Sequence, residues 1–366
     1  MNIALYSPYI PEHTGGGEKY LLDVARVLVR LGHKVSVAVR GEHVLTAQLR
    51  QKYERFLGES LEGIHFVPTP VGTTASAWQK LAWTRQFDVM YYQTDGSFFF
   101  SLAKKNIVHF QVPLHLHRPS LLERLKIANW PVRNANSAFT RKIIEKSWAV
   151  NVPYVHYPMV ELPDQALSEL LAKKKHVILN VGRFFRHLHS KRQDVLVDAF
   201  RALCTASPEV KNEWQLVLIG AVEDEAYAAE VRAAAADLPI TFIHDADRPT
   251  VTEWYAKAEI YWHATGFDVD EWSHPDKVEH FGISTVEAMG YGCVPVVVGK
   301  GGQVEVVGKA LAGQTWQHVA ECVDHTIALV RSKSVRKKYA TLAYEQAHHF
   351  GPARFTKMLQ EMIGHE

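Results

Sequence analysis

Residues 277–297 read KVEHFGISTVEAMGYGCVPVV and contain two acidic side chains, Glu279 and Glu287, eight positions apart. Gly282 and two small hydroxyl residues lie between the acids, and the apolar run VPVV follows them. The pattern predicts a loop that carries Glu279, a helix that carries Glu287, and then a buried strand. Residues 284–287 also match the S-x-x-E capping box, in which Glu287 would only close the start of the helix. A capping role leaves Glu279 unexplained, because this acid precedes the helix.

Segments with strand-like and helix-like apolar patterns alternate along the chain and fall into two series. The first series starts with NIALYSP and the helix-like EKYLLDVARVLVRLGH, and it closes with NVPYVHYP. The second series starts with HVILNVGRF and ends with STVEAMGYG and VPVVVG. Nearly continuous apolar strands that alternate with helices are typical of parallel sheets covered on both faces. The sequence therefore predicts an α/β protein with two Rossmann-like domains facing a cleft, where ligands bind at the carboxyl ends of the strands.

The junction between the two series is predicted in ELPDQALSELLAKKKH, where Pro163 precedes a polar helix and a run of lysines. We accordingly expect an N-terminal domain of residues 1–162 and a C-terminal domain of residues 173–345. Residues 346–366 follow and include a short amphipathic helix after the break at GPARF. A chain of 366 residues is long enough for two ordinary domains.

The composition, with 47% hydrophobic and 22% charged residues, is that of a soluble globular protein. The three cysteines, Cys204, Cys293 and Cys322, are too far apart to indicate a disulfide framework or a CxxC metal site, so a reducing compartment is expected. The N-terminal residues do not resemble a signal peptide, and no apolar run approaches the roughly 20 residues of a membrane-spanning helix. We therefore expect a cytoplasmic protein.

Basic residues are concentrated in the first part of the chain. Residues 1–150 contain 19 Lys and Arg against 11 Asp and Glu, whereas residues 151–366 contain 22 against 28. An ordinary solvated surface would account for this asymmetry. A contact between the N-terminal domain and an anionic partner, such as a phosphate-bearing acceptor or a membrane surface, would also account for it. No nucleic-acid partner is expected.

The segment TGGGEKY at 14–20 is a first candidate for binding phosphate. It places Gly15, Gly16 and Gly17 before a helix, where backbone amides and the positive end of the helix can approach an anion. The segment is neither GxGxxG nor a P-loop ending in GK[ST], which disfavours dinucleotide-binding and NTPase functions. The alternative is a flexible turn that caps a helix.

The segment LNVGRFFRHLHSKRQD at 179–194 is a second candidate. Arg183 follows a buried strand and Lys191 precedes a new helix, and a guanidinium with an ammonium suits a diphosphate. The alternative is a pair of exposed cations on a loop. His187 and His189 would be compatible with a metal, but no third ligand follows at a suitable spacing, so we expect both to be exposed to solvent.

Two acids at the start of a helix are unexpected if only a phosphate binds there, because the N-terminus of a helix attracts anions. They are expected if the ligand also carries hydroxyl groups, since carboxylates accept strong hydrogen bonds from sugar hydroxyls. A ligand with both phosphate and polyol parts is a nucleoside-diphosphate sugar.

The motifs together resemble those of the retaining glycosyltransferases of the GT-B fold, specifically family 4, also called group 1. The resemblance covers essentially the whole chain, and it is carried by TGGGE, NSAFTR at 136–141, NVGRFF with SKRQD, and above all E-x7-E within EHFGISTVEAMGYGCVPVV. It implies transfer of a sugar, with retention of anomeric configuration, from a UDP- or GDP-linked donor to a glycan, lipid-linked or small-molecule acceptor. It also implies that no cofactor is required, that the N-terminal domain binds the acceptor, and that the helix in 346–366 returns towards that domain.

The resemblance implies roles for individual residues. Glu279 would bind hydroxyls of the donor sugar near the reacting carbon, Glu287 would bind the ribose, and His109 in NIVHFQVP would line the sugar site. The donor would also lie close to four consecutive residues: His280, Phe281, Gly282 and Ile283.

The cations and glycines would bind the diphosphate. Arg183 and Lys191 would hold it from the C-terminal domain, and the amides of Gly15 to Gly17 would approach it from the N-terminal domain. The interval between Arg183 and Lys191 is longer than in the commonest family members, so Arg186 or Arg192 could take the place of the lysine.

Two other functions are compatible with the fold and the motifs, and two short motifs are compatible with a metal. A GT-B-type sugar-nucleotide epimerase and a non-catalytic nucleotide-sugar or glycan-binding protein are the alternatives. Residues 245–247 and 268–270 match the D-x-D motif of metal-dependent glycosyltransferases, but the first also predicts a turn and a helix start, and such short motifs often arise by chance. The HLH segment at 115–117 would suit a pair of ligands or a lining of the acceptor site. No metal is expected.

Overall fold

The computed structural model describes residues 1–10, 12, 15–41, 46–114, 119–187 and 189–364. The chain divides into two compact units, the first formed by residues 1–159 and 353–366 and the second by residues 160–352. Both units are α/β and contain a parallel sheet, which confirms the predicted fold class. Among the described residues, no helix combines the length and the apolar character that crossing a membrane would require.

The first unit is built on a seven-stranded parallel sheet with the order β3-β2-β1-β4-β5-β6-β7. Its strands, in chain order, are β1 Asn2–Tyr6, β2 Lys34–Arg40, β3 Ile64–Thr69, β4 Val89–Thr94, β5 Lys105–Phe110, β6 Val132–Ala135 and β7 Tyr154–Val155. The strand order reverses at β1 and β4, and ligands of open α/β sheets bind at the carboxyl ends of strands near such a point.

In the described part of the first unit, five helices connect these strands: α1 Gly16–Arg30, α2 Thr46–Leu57, α3 Ala77–Thr84, α4 Leu121–Ala128 and α5 Ala138–Trp148. Three of them begin with a serine whose hydroxyl accepts a hydrogen bond from the amide three residues later, namely Ser76, Ser120 and Ser137. Such caps satisfy amides that have no partner within the helix, and each stabilises a helix by about 1 kcal/mol. In the NSAFTR motif, therefore, the serine sets the start of α5.

The second unit is built on a six-stranded parallel sheet with the order β10-β9-β8-β11-β12-β13. Its strands are β8 Lys175–Val181, β9 Gln215–Gly220, β10 Ile240–His244, β11 Ala258–His263, β12 Val294–Val298 and β13 Thr315–Trp316. Its helices are α6 Leu167–Ala172, α7 Gln193–Ala206, α8 Pro208–Glu213, α9 Glu225–Ala234, α10 Arg248–Lys257, α11 Ile283–Gly290, α12 Gln303–Val307, α13 Val319–Arg331 and α14 Lys333–Ala347. Short 3₁₀ turns cover Pro275–Lys277, Lys309–Gln314 and His348–Phe350.

The segment that the sequence marks as the junction contains the helix α6, which packs within the second unit. Gly292 has a positive φ of 76°, and the position of its missing Cβ lies 3.0 Å from Cδ1 of Leu167. The absence of a side chain at Gly292 lets α6 pack closely. The second unit accordingly begins at Val160, before the predicted residue 173.

The last helix, α15, spans Pro352–Ile363, and residues 353–366 belong to the first unit. Its side chains Phe355 and Leu359 are buried in the same apolar core as Ile3, Leu21 and Val37. Burial of a side chain of this size stabilises a fold by roughly 1.5–3 kcal/mol, so α15 is an integral part of the first core.

Candidate active site

The carboxyl ends of β8 and β11 bring together most of the predicted residues of the second unit. The two strands are neighbours in the sheet. The segment 182–192 follows β8, and β11 ends at His263, so both deliver polar residues to the same edge of the sheet. Helix α11 begins at Ile283, immediately after the loop that carries Glu279. The loop that carries Glu279 and the loop that carries the cations therefore meet at this edge of the sheet.

Glu279 is the centre of this site. Its Oε2 accepts a hydrogen bond from Nζ of Lys191 at 2.6 Å and another from Nε2 of His263 at 3.0 Å. Nε2 of His189 lies 3.6 Å from Oε1, and the His189 ring stacks on the ring of His280 with centroids 4.8 Å apart. Only 10% of the Glu279 side chain and 15% of the Lys191 side chain are exposed. The carboxylate is thus paired in a largely dry environment.

The charges in this cluster are set by burial and by the lysine. Burial opposes ionisation of Glu279, but the neighbouring Lys191 and the histidines outweigh it and hold the pKa of this carboxyl well below its usual value. Burial lowers the pKa of His263 and of His189, and it lowers the pKa of His280 to about 4. The three imidazoles are therefore neutral at pH 7, and His263 donates its Nε2 hydrogen to the carboxylate.

Glycines permit the close approach of these groups. A Cβ on Gly182 would lie 2.7 Å from Cγ of Lys191, so the lysine stem passes over a position where only a hydrogen fits. The amide of Gly302 donates to the carbonyl oxygen of Glu279 at 2.7 Å, and a Cβ on Gly302 would lie 2.3 Å from the carbonyl oxygen of His280. Two glycine-bearing loops thus fix the stem of the lysine and the backbone of the acid.

The start of α11 differs from the capping-box interpretation. The N-cap is Gly282, with φ 111°, and Ser284 lies inside the helix, where its hydroxyl accepts a hydrogen bond from Tyr261 at 2.8 Å. The interpretation of residues 284–287 as a capping box is therefore wrong. A residue with a Cβ would be strained at this φ and would also lie 2.6 Å from Nε2 of Gln303.

Glu287 is held by a different set of partners. Its Oε2 accepts a hydrogen bond from the Tyr255 hydroxyl at 3.0 Å, and its Oε1 lies 2.7 Å from Nη2 of Arg248. The Arg248 side chain is 55% exposed, whereas only 10% of the Glu287 side chain is exposed. Glu287 therefore lies about one turn into α11, with one carboxylate oxygen on Tyr255 and the other on Arg248 rather than on Lys191.

The other cations of the 179–194 segment have their own carboxylate partners. Nη1 of Arg183 lies 3.1 Å from Glu223, and its guanidinium lies over the Phe185 ring. Arg186 pairs with Glu230. Arg192 pairs with Asp194 at 3.0 Å and donates to the carbonyl oxygen of Phe267. Lys191, the remaining cation of this segment, pairs with Glu279.

The predicted residues of the first unit lie at the start of α1 and at the end of β5. Gly15 is the N-cap of α1, which begins at Gly16. A Cβ on Gly17 would lie 2.8 Å from Nε2 of Gln93, so a side chain at Gly17 would displace the glutamine. His109 is fully buried, with Nδ1 2.5 Å from Oδ1 of Asn134 and Nε2 2.8 Å from Oε1 of Gln111.

The motifs considered for a metal have other structural explanations. Asp247 caps α10 by accepting from the amide of Thr250, as the predicted turn and helix start require. Asp270 accepts from the amide of Trp272 and from the hydroxyl of Ser273. Residues 115–117 lie outside the described part of the chain. Within the described ranges, no three His, Cys, Asp or Glu side chains are arranged to bind a metal ion.

Several residues of the site are not evident from the sequence. His189 is not solvent-exposed as predicted, because it stacks on His280 and faces Glu279. His263 was missed, although a histidine that ends the apolar strand AEIYWH is a recognisable signal. Arg248 was missed because its contact with Glu287 joins residues that no motif links. The loop glycines before Gln303 were also missed.

Comparison with known proteins agrees with this architecture. The profile described as "Glycosyl transferases group 1" matches residues 164–345, and the profile described as "Glycosyltransferase Family 4" matches residues 14–153. A protein of Neurospora crassa described as GDP-Man:Man(3)GlcNAc(2)-PP-Dol alpha-1,2-mannosyltransferase is 26% identical over 262 residues, which cover 62% of this chain and 44% of that protein. The chain thus spans less than half the length of this curated relative.

Solved structures of glycosyltransferases share the fold. A glycosyltransferase from Rickettsia africae superimposes with a TM-score of 0.70 at 15% identity, and Anabaena HepE in complex with UDP and glucose with 0.67 at 16%. Each comparison covers 100% of this chain and 99% of the other. The fold is that of the GT-B glycosyltransferases. Together with the two profile matches, it shows that the chain belongs to the group 1, or family 4, glycosyltransferases.

Proposed function

We propose that this protein transfers a sugar from a nucleoside-diphosphate sugar to a hydroxyl group of an acceptor, with retention of anomeric configuration. The observation that carries the proposal is the buried cluster of Lys191, Glu279 and His263 at the carboxyl edge of the second sheet. A carboxylate suits sugar hydroxyls and an ammonium suits a phosphate, so the cluster offers both functions that such a donor requires. No cofactor or metal is part of the proposal.

The chemistry follows from where charge develops. Breaking the bond between the anomeric carbon and the phosphate oxygen leaves negative charge on the β-phosphate. Lys191 and Arg183 would stabilise that charge, aided by the positive end of α11, more strongly in the transition state than in the bound substrate. Glu279 would hold the sugar by accepting hydrogen bonds from its hydroxyls, and Glu287 would accept hydrogen bonds from the ribose.

Retention is proposed to arise from attack on the same face that the phosphate leaves. The departing phosphate would take the proton from the acceptor hydroxyl as the new bond forms, so no separate side-chain base is required. NMR of the first-formed product gives its anomeric configuration. A product inverted relative to the donor would exclude this mechanism while leaving sugar transfer itself intact.

The donor is proposed to be UDP- or GDP-linked, and the acceptor a glycan, a lipid-linked glycan or a small molecule. The Neurospora relative is named for a GDP-mannose donor and a dolichyl-diphosphate-linked acceptor, and the Anabaena structure contains UDP and glucose. These names support both nucleotide bases and a lipid-linked acceptor as the first compounds to test.

Release of nucleoside diphosphate from a panel of UDP- and GDP-sugars, measured with and without acceptors, tests the proposal. Acceptor-dependent release supports transfer. Conversion of the donor sugar without an acceptor would instead support an epimerase of the same fold. Binding without either reaction would support a nucleotide-sugar or glycan-binding protein. Melting temperatures measured with each nucleoside diphosphate would identify the base, because a ligand of the native state raises that temperature.

We further propose peripheral contact of the first unit with an anionic membrane surface. Trp78 on α3 is 79% exposed, and on α4 the side chains of Leu121, Leu122 and Leu125 are 77%, 55% and 55% exposed. Clustered apolar side chains exposed to this extent mark contact surfaces in soluble proteins. An apolar helix face with basic neighbours is a common form of interfacial membrane contact.

Helices α3 and α4 each contribute a basic residue to the lining of one cavity of about 480 Å³ in the first unit, namely Lys80 of α3 and Lys126 of α4. Phe100, from the segment between β4 and β5, also lines this cavity. Cations beside exposed apolar groups favour a surface of anionic lipids over a neutral one. A bilayer contact here would also bring a lipid-linked acceptor to this unit.

Sedimentation with vesicles tests the membrane contact. The protein should bind vesicles containing phosphatidylserine more strongly than vesicles of phosphatidylcholine alone, and salt should weaken the binding. Replacing Leu121, Leu122 and Leu125 by serine should reduce binding. Val304→Ser, at an exposed apolar position on α12, is the matched control. Equal binding of the triple variant and the control would contradict the proposed surface.

A further inference from the structure

A buried glutamine joins the two ends of the loop that follows β8 in the second unit. Gln193 is the first residue of α7, and its side chain is fully buried. Its Nε2 donates to the carbonyl oxygen of Gly182 at 3.0 Å and to that of Arg183, 10 positions earlier in the chain, at 3.1 Å. A single side-chain amide therefore connects the end of the strand to the start of the helix.

The orientation of this amide is set by its surroundings. The NH₂ group of Gln193 has two hydrogens, and the two carbonyl oxygens accept one each. Turning the amide over would place Oε1 against both oxygens, and acceptors repel one another. Oε1 therefore faces the other way, where it accepts from the hydroxyl of Tyr227 at 3.2 Å. All three contacts of the amide thus join a donor to an acceptor.

The two carbonyl oxygens that Gln193 binds belong to the peptide groups on either side of the Arg183 Cα. The second of these peptide groups is also held through its nitrogen, because the amide of Phe184 donates to the carbonyl oxygen of Ala221 at 2.8 Å. Since both peptide planes are anchored, the direction in which the Arg183 side chain leaves the backbone is fixed.

The chain is closely packed at Gly182. Its amide donates to the carbonyl oxygen of Ile219 at 2.8 Å, and a Cβ on Gly220 would lie 2.0 Å from the carbonyl oxygen of Gly182. A carbonyl oxygen packed in this way is costly to leave without a donor. The bond from Gln193 is therefore needed for this course of the loop.

The same glutamine also constrains the residues before it. Arg192 has a φ of 53°, in the left-handed region that a residue with a Cβ rarely adopts. Such a conformation persists where the surroundings over-determine it. Here the chain is held on one side by Gln193 and on the other by Lys191, whose Nζ lies 2.6 Å from Oε2 of Glu279. The turn at Arg192 allows the lysine and the glutamine to reach these different partners.

Gln193 thus acts on both cations that are assigned to the diphosphate. We propose that Gln193 is a positioning residue that holds Arg183 in place relative to Lys191, and that this arrangement makes the site select a diphosphate over a monophosphate. The binding of a diphosphate here rests on the proposed function, whereas the closure of the loop does not. Two phosphate groups gain from two cations whose positions are already fixed, because no binding energy is lost in ordering the loop. A monophosphate, which one cation can hold, gains less.

Hydrogen exchange tests the closure of the loop without a ligand. Gln193→Met keeps the length of the side chain and removes both donors. Gln193→Asn, which shortens the reach of the amide by one methylene, serves if the methionine variant does not fold. In the variant, the exchange rate of the Phe184 amide should rise about tenfold more than that of Leu179 in the middle of β8.

Gln314→Met is the matched control for this measurement, because Gln314 is another buried glutamine of the second unit. It should leave the exchange rate of Phe184 unchanged. A folded Gln193 variant in which Phe184 exchanges at the wild-type rate would overturn the inference.

Nucleotide binding tests the positioning of the arginine. Calorimetry gives the dissociation constants of UDP, UMP, GDP and GMP for the wild type, Gln193→Met and Gln314→Met. For the base that the wild type prefers, Gln193→Met should weaken binding of the diphosphate about tenfold and binding of the monophosphate less than about twofold. Equal losses for the two nucleotides would indicate a merely structural role and would overturn the proposed selectivity.

A double-mutant cycle connects this effect to the arginine. Arg183→Gln should weaken diphosphate binding in the wild type and much less in the Gln193→Met background, because the arginine is no longer held in place there. Additive losses would contradict the proposal that Gln193 acts through Arg183.

The two kinds of experiment separate this inference from the proposed function. A wild type that binds no nucleoside diphosphate, although Phe184 responds as expected, would contradict the proposed function and the selectivity but confirm the closure of the loop. A wild type that binds the diphosphate, with both affinity and exchange rate unchanged in Gln193→Met, would contradict only the inference.

Discussion

Nζ of Lys191 lies 2.6 Å from Oε2 of Glu279, although 88 positions separate the two residues in the chain. The lysine comes from the loop after β8 and the acid from the loop before α11, and each loop passes over a glycine at the contact. The pair leaves the site nearly neutral in the unliganded protein. A phosphate would share the ammonium with the carboxylate, so donor binding and this ion pair are expected to be energetically coupled.

Replacing Glu279 by glutamine should reduce catalysis in the protein that remains folded, in addition to the loss of stability that breaking its pair with Lys191 causes. Glutamine keeps the size of the side chain but accepts weaker hydrogen bonds from sugar hydroxyls and no longer balances Lys191. We expect kcat to fall on the order of 100-fold, similar to the loss of one donor to a developing charge. Initial rates of nucleotide release measure the effect, and Glu345→Gln at an exposed position of α14 is the control. Unchanged kcat in Glu279→Gln would remove this acid from the proposed mechanism.

Breaking the Lys191–Glu279 pair from one side should destabilise the second unit. Lys191→Met leaves a buried carboxylate without its cation, and loss of one partner of a buried pair costs on the order of 3 kcal/mol. The double variant Lys191→Met, Glu279→Gln should recover part of that stability, because no buried charge remains. Urea unfolding of the wild type, both single variants and the double variant completes the cycle. Simple additivity of the two single effects would argue against direct coupling.

The packing of Gly182 against the lysine stem can be tested by adding one methyl group. Gly182→Ala places a Cβ 2.7 Å from Cγ of Lys191 and should displace the ammonium from its position beside Glu279. We expect kcat/KM for the donor to fall by tenfold or more, with a smaller effect on unfolding. Gly313→Ala is a suitable control because no atom lies within 4 Å of its added Cβ. Similar kinetics in the two variants would contradict the predicted displacement.

Stability should fall as the pH decreases from 7 to 4, and His280 should account for part of the loss. Burial lowers the pKa of His280 to about 4, from an ordinary value near 6.5. Between these values the unfolded chain binds a proton that the native protein excludes, so the native state loses stability as the pH falls. The contribution reaches about 3 kcal/mol at pH 4, since one pKa unit corresponds to about 1.4 kcal/mol.

The effect of replacing His280 is compared with the effect of replacing His187, a histidine on the surface. The free energy of unfolding of His280→Gln should fall less between pH 7 and pH 4 than that of the wild type. His187→Gln, which alters a ring that is 75% exposed, should follow the wild-type profile. Parallel profiles for all three proteins would show that His280 is protonated equally in the native and unfolded states.

The architecture could be predicted from the sequence because strand and helix periodicities repeat regularly. Nearly unbroken apolar runs such as VILNV and VPVVV are dictated by burial on both faces of a sheet, and they identify parallel strands without tertiary information. The residues at which helices and strands begin and end are less well determined by the sequence. The start of α11 lies at Gly282 because a glycine with positive φ is available there, and this choice overrides the serine that the motif suggests.

The positions of Glu279 and Lys191 at one edge of the second sheet could be predicted, because residue type and loop position were sufficient. The partners of these residues depend on which strands become neighbours. His263 reaches Glu279 because β11 lies beside β8, and Arg183 pairs with Glu223 from the loop after β9. The burial of His189 likewise depends on the position of His280, so composition alone suggested a solvent-exposed ring.

The packing of α15 bears on the order in which the two units fold during synthesis. The core that contains Ile3 and Leu21 also requires Phe355 and Leu359, which are translated only after the whole of residues 160–352. Residues 160–352 can complete their own sheet earlier, so the half of the protein that is translated first is the half that finishes folding last. During that interval the apolar side chains that α15 will later cover remain exposed on the nascent chain, and a chaperone would find its binding surface there.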